Sequence, residues 1–191
     1  YPHKHIALEK ADGCYLYDTD GNKYLDCAAG IAVSSLGHNH PAFNKGVQEQ
    51  LDKGFTMCVG SFAHEPKVNA AELLVNNCCS DKIFFCNSGA EAVEGALKLA
   101  RAYAHYNRSE DCKEFIVFKN SFHGRTYGAV SGTQKSLSQP QFGPYLPGYH
   151  FADFNDLDSV KALITDKICG VLVEPVQGEG GLTAGTTEFL Q

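Results

Sequence analysis

The sequence has no long apolar run, no basic cluster and no C-x-x-C pair. It contains neither a G-x-G-x-x-G nor a G-x-x-x-x-G-K-[ST] phosphate loop. No stretch approaches the roughly 18 apolar residues of a membrane helix, which argues against a spanning segment. Net charge is −6, and without basic runs the chain is a poor nucleic-acid ligand. Eight cysteines (14, 27, 58, 78, 79, 86, 112 and 169) are too sparse for a disulfide scaffold. They lack zinc-site spacing and are expected to be free thiols of a reducing, cytoplasmic compartment. Nothing at the start resembles a secretory signal. Internal repeats and low-complexity tracts are absent.

What remains is the composition of a protein with a core: 43% hydrophobic, 20% charged and 11% aromatic over 191 residues. Residues 5–27 alternate apolar and polar around two Asp-Gly pairs and predict a small β-meander. The Gly-containing segment "AAGIAVSSLGHNHP" follows. Pro41 then opens a helix marked by Phe43, Val47 and Leu51, and a second helix is expected from "HEPKVNAAELLVNN". From Lys82 the pattern becomes strand 82–87, helix 88–106, strand 114–119, an irregular segment, helix 155–164 and strand 168–174. Continuous apolar runs such as "KIFF" and "CGVLVEP" suit a sheet covered on both faces, so the fold class is α/β. The expected division is an N-terminal segment over 1–60 and the first part of a larger domain over 61–191. "TTEFLQ" reads as the opening of a helix, so Gln191 is expected to be a cut.

Three clusters carry chemistry. In "FFCNSGAEAVEGALKLAR", Ser88 is a good N-cap with Glu91 at capping-box spacing, and Gly89 allows close backbone approach. Such a helix start favours a phosphate, although a well-capped helix holding nothing has the same spacing. In "FKNSFHGRTYGAVSGT", Phe122 suits stacking on a planar ring. Arg125 suits a bidentate pair with a carboxylate, or else a solvated loop position. His123 reads as a structural hydrogen-bonder. In "VLVEPVQGEGG", Glu174 ends an apolar strand and needs a partner or water, and Glu179 follows in a Gly-rich turn. His38 and His40 are spaced like metal ligands on a strand, but no third ligand is near, and a helix-start turn explains them better.

With "YLDCAAGIAVSSLGHNHP" in front, these motifs occur in the order and spacing of a known family. The chain resembles the class III (subgroup II) pyridoxal-phosphate aminotransferases over essentially its whole length, which implies a fold type I transferase. The resemblance assigns the cofactor phosphate to Ser88, Gly89 and Ala90, and the pyridine ring to Phe122. It gives a substrate carboxylate to Arg125 and a gating partner for a late arginine to Glu179. Glu174 is similar to a further active-site carboxylate.

Within the family, "AAGIAVSSLGH" and "FGPYLPGYHFADFNDLDSV" look most like the acetylornithine enzymes of arginine biosynthesis. Ile31 falls where ornithine δ-aminotransferases carry a tyrosine for the free α-amino group, so an apolar residue suits an acylated one. The implied reaction passes the terminal amino group of N2-acetylornithine to 2-oxoglutarate, giving glutamate, in a homodimer. The family's Schiff-base lysine and pyridine-pairing aspartate are expected beyond Gln191. Neither Lys98, Lys119 nor Lys135 is a credible substitute, so these 191 residues alone are expected to be inactive. Enzymes for GABA, succinylornithine or ornithine, and a non-catalytic phosphate-binding module, are the competing readings.

Overall fold

Glycines at the two Asp-Gly turns bend the chain's start into an antiparallel meander, β1 (Leu8–Asp12), β2 (Tyr15–Asp18) and β3 (Lys23–Leu25), in the order β1-β2-β3. Both turn glycines, Gly13 and Gly21, have positive φ. The computed structural model describes residues 5–134 and 139–191; Lys135 lies outside them. Two units are present, residues 1–82 and 83–191, where the sequence placed a division after residue 60.

In the first unit, the Asp18 carboxylate accepts bonds from the Asp20 and Asn22 backbone N–H groups, the Asn22 amide and the Tyr24 hydroxyl. Those bonds, led by the Asn22 side chain, pull its pKa down to about 2. The next element, α1 (Ala29–Ala32), is a single left-handed turn in which Ala29, Gly30, Ile31 and Ala32 all have positive φ. Asp26 holds its start by accepting from Ala28 and Ala29 N–H, and pairs with the His38 ring at 2.7 Å. His38 also exchanges backbone bonds with Gly13, so it ties the loop to the hairpin tip. His40 is the N-cap of α2 (Pro41–Asp52), the helix that Pro41 signalled. The spacing of Phe43, Val47 and Leu51 marked a helix face, but in this unit all three stay exposed. α3 (Glu65–Val75) completes the unit.

The second unit is built on β4 (Glu114–Phe118), flanked in parallel by β5 (Tyr149–Ala152) and β6 (Ile168–Val171). β4 is central, so both of its faces are covered and its apolar run is continuous. Phe115 and Val117 face Leu97, Val93 and Ala100 of α4 (Gly89–Asn107). Ile116 and Phe118 face the opposite layer, with Val160 of α6 (Leu157–Lys161) and Phe189 of α7 (Thr187–Leu190). Rings of Phe118, Phe154 and Phe189 meet edge to face at 5.3 to 5.9 Å. Between β4 and β5 lie the short α5 (Tyr127–Ser131) and a 3₁₀ turn, Pro140–Phe142. A two-stranded ladder, β7 (Val176–Gln177) with β8 (Thr183–Ala184), carries the last Gly-rich turn.

The α/β reading holds, with two corrections. Residues 82–87 are not a paired strand: among the described residues no strand is laddered to them, and Phe84 is 76% exposed. An apolar run becomes a strand only where a ladder partner exists. Conversely, β5 lies inside the segment read as irregular. At four residues, after a Gly- and Pro-rich stretch, it is too short for a legible alternation.

Candidate functional site

α4 begins as its sequence dictates. Ser88 has extended φ/ψ and its Oγ accepts from Glu91 N–H at 3.2 Å. Glu91 returns the bond one residue earlier than the simple capping box, accepting from Asn87 N–H at 2.6 Å. The Gly89 and Ala90 N–H groups, in the first turn, have no partner within the helix. Together with the Ser88 hydroxyl they form a donor set at the positive end of a 19-residue helix. A Cβ built on Gly89 would meet nothing within 4 Å, so the helix start faces open space.

The loop after β4 is fastened to this helix. Gly124 has φ +122°, and a Cβ there would lie 2.8 Å from the Ala90 Cβ. Only glycine permits both the backbone angle and the approach. One turn further along α4, Glu94 Oε1 accepts from the Thr126 hydroxyl at 2.6 Å, Gly128 N–H at 2.9 Å and Ala129 N–H at 3.3 Å. Phe122 and Arg125 thus belong to a loop held against the cradle, with the guanidinium 5.6 Å from the Phe122 ring centroid. A cavity of about 420 Å³ opens beside them, lined also by Tyr127, Val130, Gln139 and Phe142.

Glu174, expected to need a partner, has one: its Oε2 accepts from Phe122 N–H at 2.9 Å. The strand ends at Val171 rather than at residue 174, and the carboxylate three residues beyond it fixes the backbone of the stacking candidate. Gln177 is buried and its amide donates to the Lys119 carbonyl at 2.8 Å. A Cβ on Gly180 would collide with the Asn120 carbonyl, so the turn that exposes Glu179 packs closely on the end of β4.

His123 points inward. Burial lowers its pKa to about 4, and its Nε2 is buried without a partner among the described residues. It packs under the loop, but the hydrogen bond expected of it is not made at Nε2 among the described residues. The second unit thus gathers Ser88, Gly89, Ala90, Phe122, Arg125, Glu174 and Glu179 on segments that contact one another. Ile31 belongs to the first unit, exposed on the left-handed turn. His38 is engaged by Asp26, and no group of three His, Cys, Asp or Glu among the described residues forms a metal site. Sequence reasoning missed Glu94, Gly124 and Gly128, whose partners lie about 30 residues away in the chain.

The family model described as Aminotransferase class-III matches residues 1–191. A succinylornithine transaminase of Salmonella paratyphi B is 46% identical over 183 residues, covering 95% of this chain and 44% of the relative. An acetylornithine aminotransferase of Clostridium acetobutylicum is 43% identical over 192 residues, covering 100% of this chain and 49% of the relative. The chain spans about half the length of the curated relatives it matches. Among solved structures, an ornithine aminotransferase of Toxoplasma gondii superposes with a TM-score of 0.89 at 31% identity, over 98% of this chain and 45% of that one. That crystal is described as holding PLP at partial occupancy in its active site. The N-acetylornithine aminotransferase of Stenotrophomonas maltophilia gives a TM-score of 0.81 at 34% identity, over 100% of this chain and 46% of that one.

Proposed function

The chain belongs to the class-III aminotransferases, and from that premise we propose that its second unit supplies the phosphate, ring and carboxylate contacts of a pyridoxal-phosphate site. The enzyme it serves moves the terminal amino group of N2-acetylornithine to 2-oxoglutarate. One observation carries this reading: the α4 start, the Phe122–Arg125 loop and Glu174 are locked together by direct contacts.

The residues fit the cofactor. The Ser88 hydroxyl and the Gly89 and Ala90 N–H groups offer a phosphate dianion neutral donors and a helix dipole, above open space. Phe122 is 37% exposed, which leaves ring surface for one face of a pyridine. Pyridoxal phosphate, when bound, supplies the electron sink that transamination requires.

The chain's own groups bind and orient. Glu174 fixes the Phe122 backbone. Arg125 offers its planar fork to a substrate carboxylate beside the apolar cavity. Glu179 is exposed on its turn, available to an arginine outside these residues. Ile31 keeps the role that the resemblance gives it, apolar surface for an acylated α-amino group. Lys119 bonds Asp153 at 2.7 Å and Lys98 is exposed on α4, so we assign the covalent lysine to sequence outside these 191 residues. A homodimer is part of the same proposal.

Succinylornithine is the second reading, favoured by the 46% identity to a succinylornithine transaminase. Full-length protein is assayed with acetylornithine, succinylornithine, ornithine and GABA, each with 2-oxoglutarate. The highest kcat/KM is expected on acetylornithine. A preference for succinylornithine selects the second reading, and a preference for ornithine or GABA overturns both. No turnover of any amine, with a coding sequence that stops after Gln191, favours the phosphate-binding module.

A further inference from the structure

We propose that Glu94 is a positioning residue: its carboxylate clamps the start of α5 and so sets where the Phe122–Arg125 loop stands relative to the phosphate-holding start of α4. The inference rests on the function proposed above, because the site it positions is the one assigned there.

A glutamate in mid-helix ordinarily faces water. Glu94 instead directs one oxygen at three donors of another element: the Thr126 hydroxyl, Gly128 N–H and Ala129 N–H. Gly128 and Ala129 lie in the first turn of α5, where N–H groups have no partner inside the helix. Thr126, the N-cap, makes no capping bond with its own side chain. It donates to Glu94 instead, so the cap of α5 is supplied from α4.

Gly128 shows how tight the contact is. It is buried, and a Cβ there would fall inside the Glu94 carboxylate. The second contact, Gly124 against Ala90, lies one helical turn nearer the cradle. Arg125 stands between these two attachment points. Two fixed points on one helix define the loop's position and leave little freedom for the residue between them. The carboxylate charge strengthens these bonds, but the acceptor oxygen is what holds the three donors, and a neutral amide oxygen in its place can accept them too. Glu94 needs no contact with substrate to act this way.

The test uses full-length, cofactor-loaded protein, as wild type, Glu94→Ala and Glu94→Gln. Two readouts are taken: kinetics with the preferred amine and 2-oxoglutarate, and amide hydrogen exchange at Gly128 and Ala129. In Glu94→Ala, exchange at both amides is expected to rise about tenfold or more, with a similar rise in KM and a smaller change in kcat. Glu94→Gln keeps an oxygen acceptor and is expected within about threefold of wild type in KM. A merely structural role lowers the amount of active enzyme without this KM split or its rescue by glutamine.

Should Glu94→Ala fail to fold, Gly128→Ala breaks the contact from the other side and is expected to raise KM and Ala129 exchange alike. Unchanged exchange and KM in Glu94→Ala overturn the clamp, as does a KM loss that glutamine does not rescue. A wild type that turns over none of the four amines overturns the function proposed above. The exchange comparison then decides the clamp separately.

Discussion

His123 shows how one buried residue couples the site to pH. Burial holds its imidazole at a pKa of about 4, below the ordinary 6.5. Between those values the unfolded chain binds the proton and the folded chain does not. The folded state therefore keeps its full stability above about 6.5 and loses it progressively as pH falls toward 4. Urea unfolding of the protein should show this directly. The wild type is expected to lose about 2 kcal/mol more between pH 6.5 and 4.5 than His123→Leu, which cannot titrate. Parallel losses in the two proteins would remove His123 as the source. The three donors on Glu94 make the same point about single residues: chemistry that looks solvent-facing in sequence acquires its role from a partner more than 30 residues away.

At the scale of elements, the start of α4 and the loop after β4 separate two uses of glycine. Gly124 is required by the fold, with φ at +122° and Ala90 against its Cβ position. Gly89 is not, since it has helical geometry and open space where a Cβ would go. Gly124→Ala is therefore expected to destabilise the protein by about 2 kcal/mol or more, read as a lower thermal midpoint. Gly89→Ala should leave that midpoint unchanged or slightly raised, because alanine is the better helix former. It should nevertheless weaken pyridoxal phosphate binding, since the new methyl occupies the space assigned to the phosphate. A cofactor titration beside the melting curve distinguishes the two. If Gly89→Ala bound cofactor as wild type does, the cradle assignment would be wrong.

For the whole molecule, the distribution of apolar surface is the main feature. The second unit has a sound core on both faces of β4. Yet Ile31, Met57, Phe84 and Leu182 are each at least 76% exposed, among many other large apolar side chains. Surface of that kind drives association in water. The isolated 191-residue chain is expected to bind a hydrophobic dye and to self-associate in sedimentation velocity. With pyridoxal phosphate and borohydride it should yield no adduct at a single lysine and no transaminase turnover. A monomeric, dye-silent chain would show that these side chains are covered in solution.

The sequence by itself determined the α/β class, a capped helix read over 88–106 and found at 89–107, a strand read over 114–119 and found as β4, and the motifs that gather in the second unit. These are local facts: a Ser88–Glu91 cap, and glycines beside an aromatic and an arginine. Tertiary structure alone decided that residues 82–87 lack a ladder partner and that "YHFA" is a strand, because pairing depends on neighbours distant in the chain. It alone gave Glu174 the Phe122 N–H and Glu94 the start of α5. A carboxylate's role follows from which donors come within hydrogen-bonding distance. Local sequence sets the carboxylate's chemistry, and only the folded chain brings the donors to it.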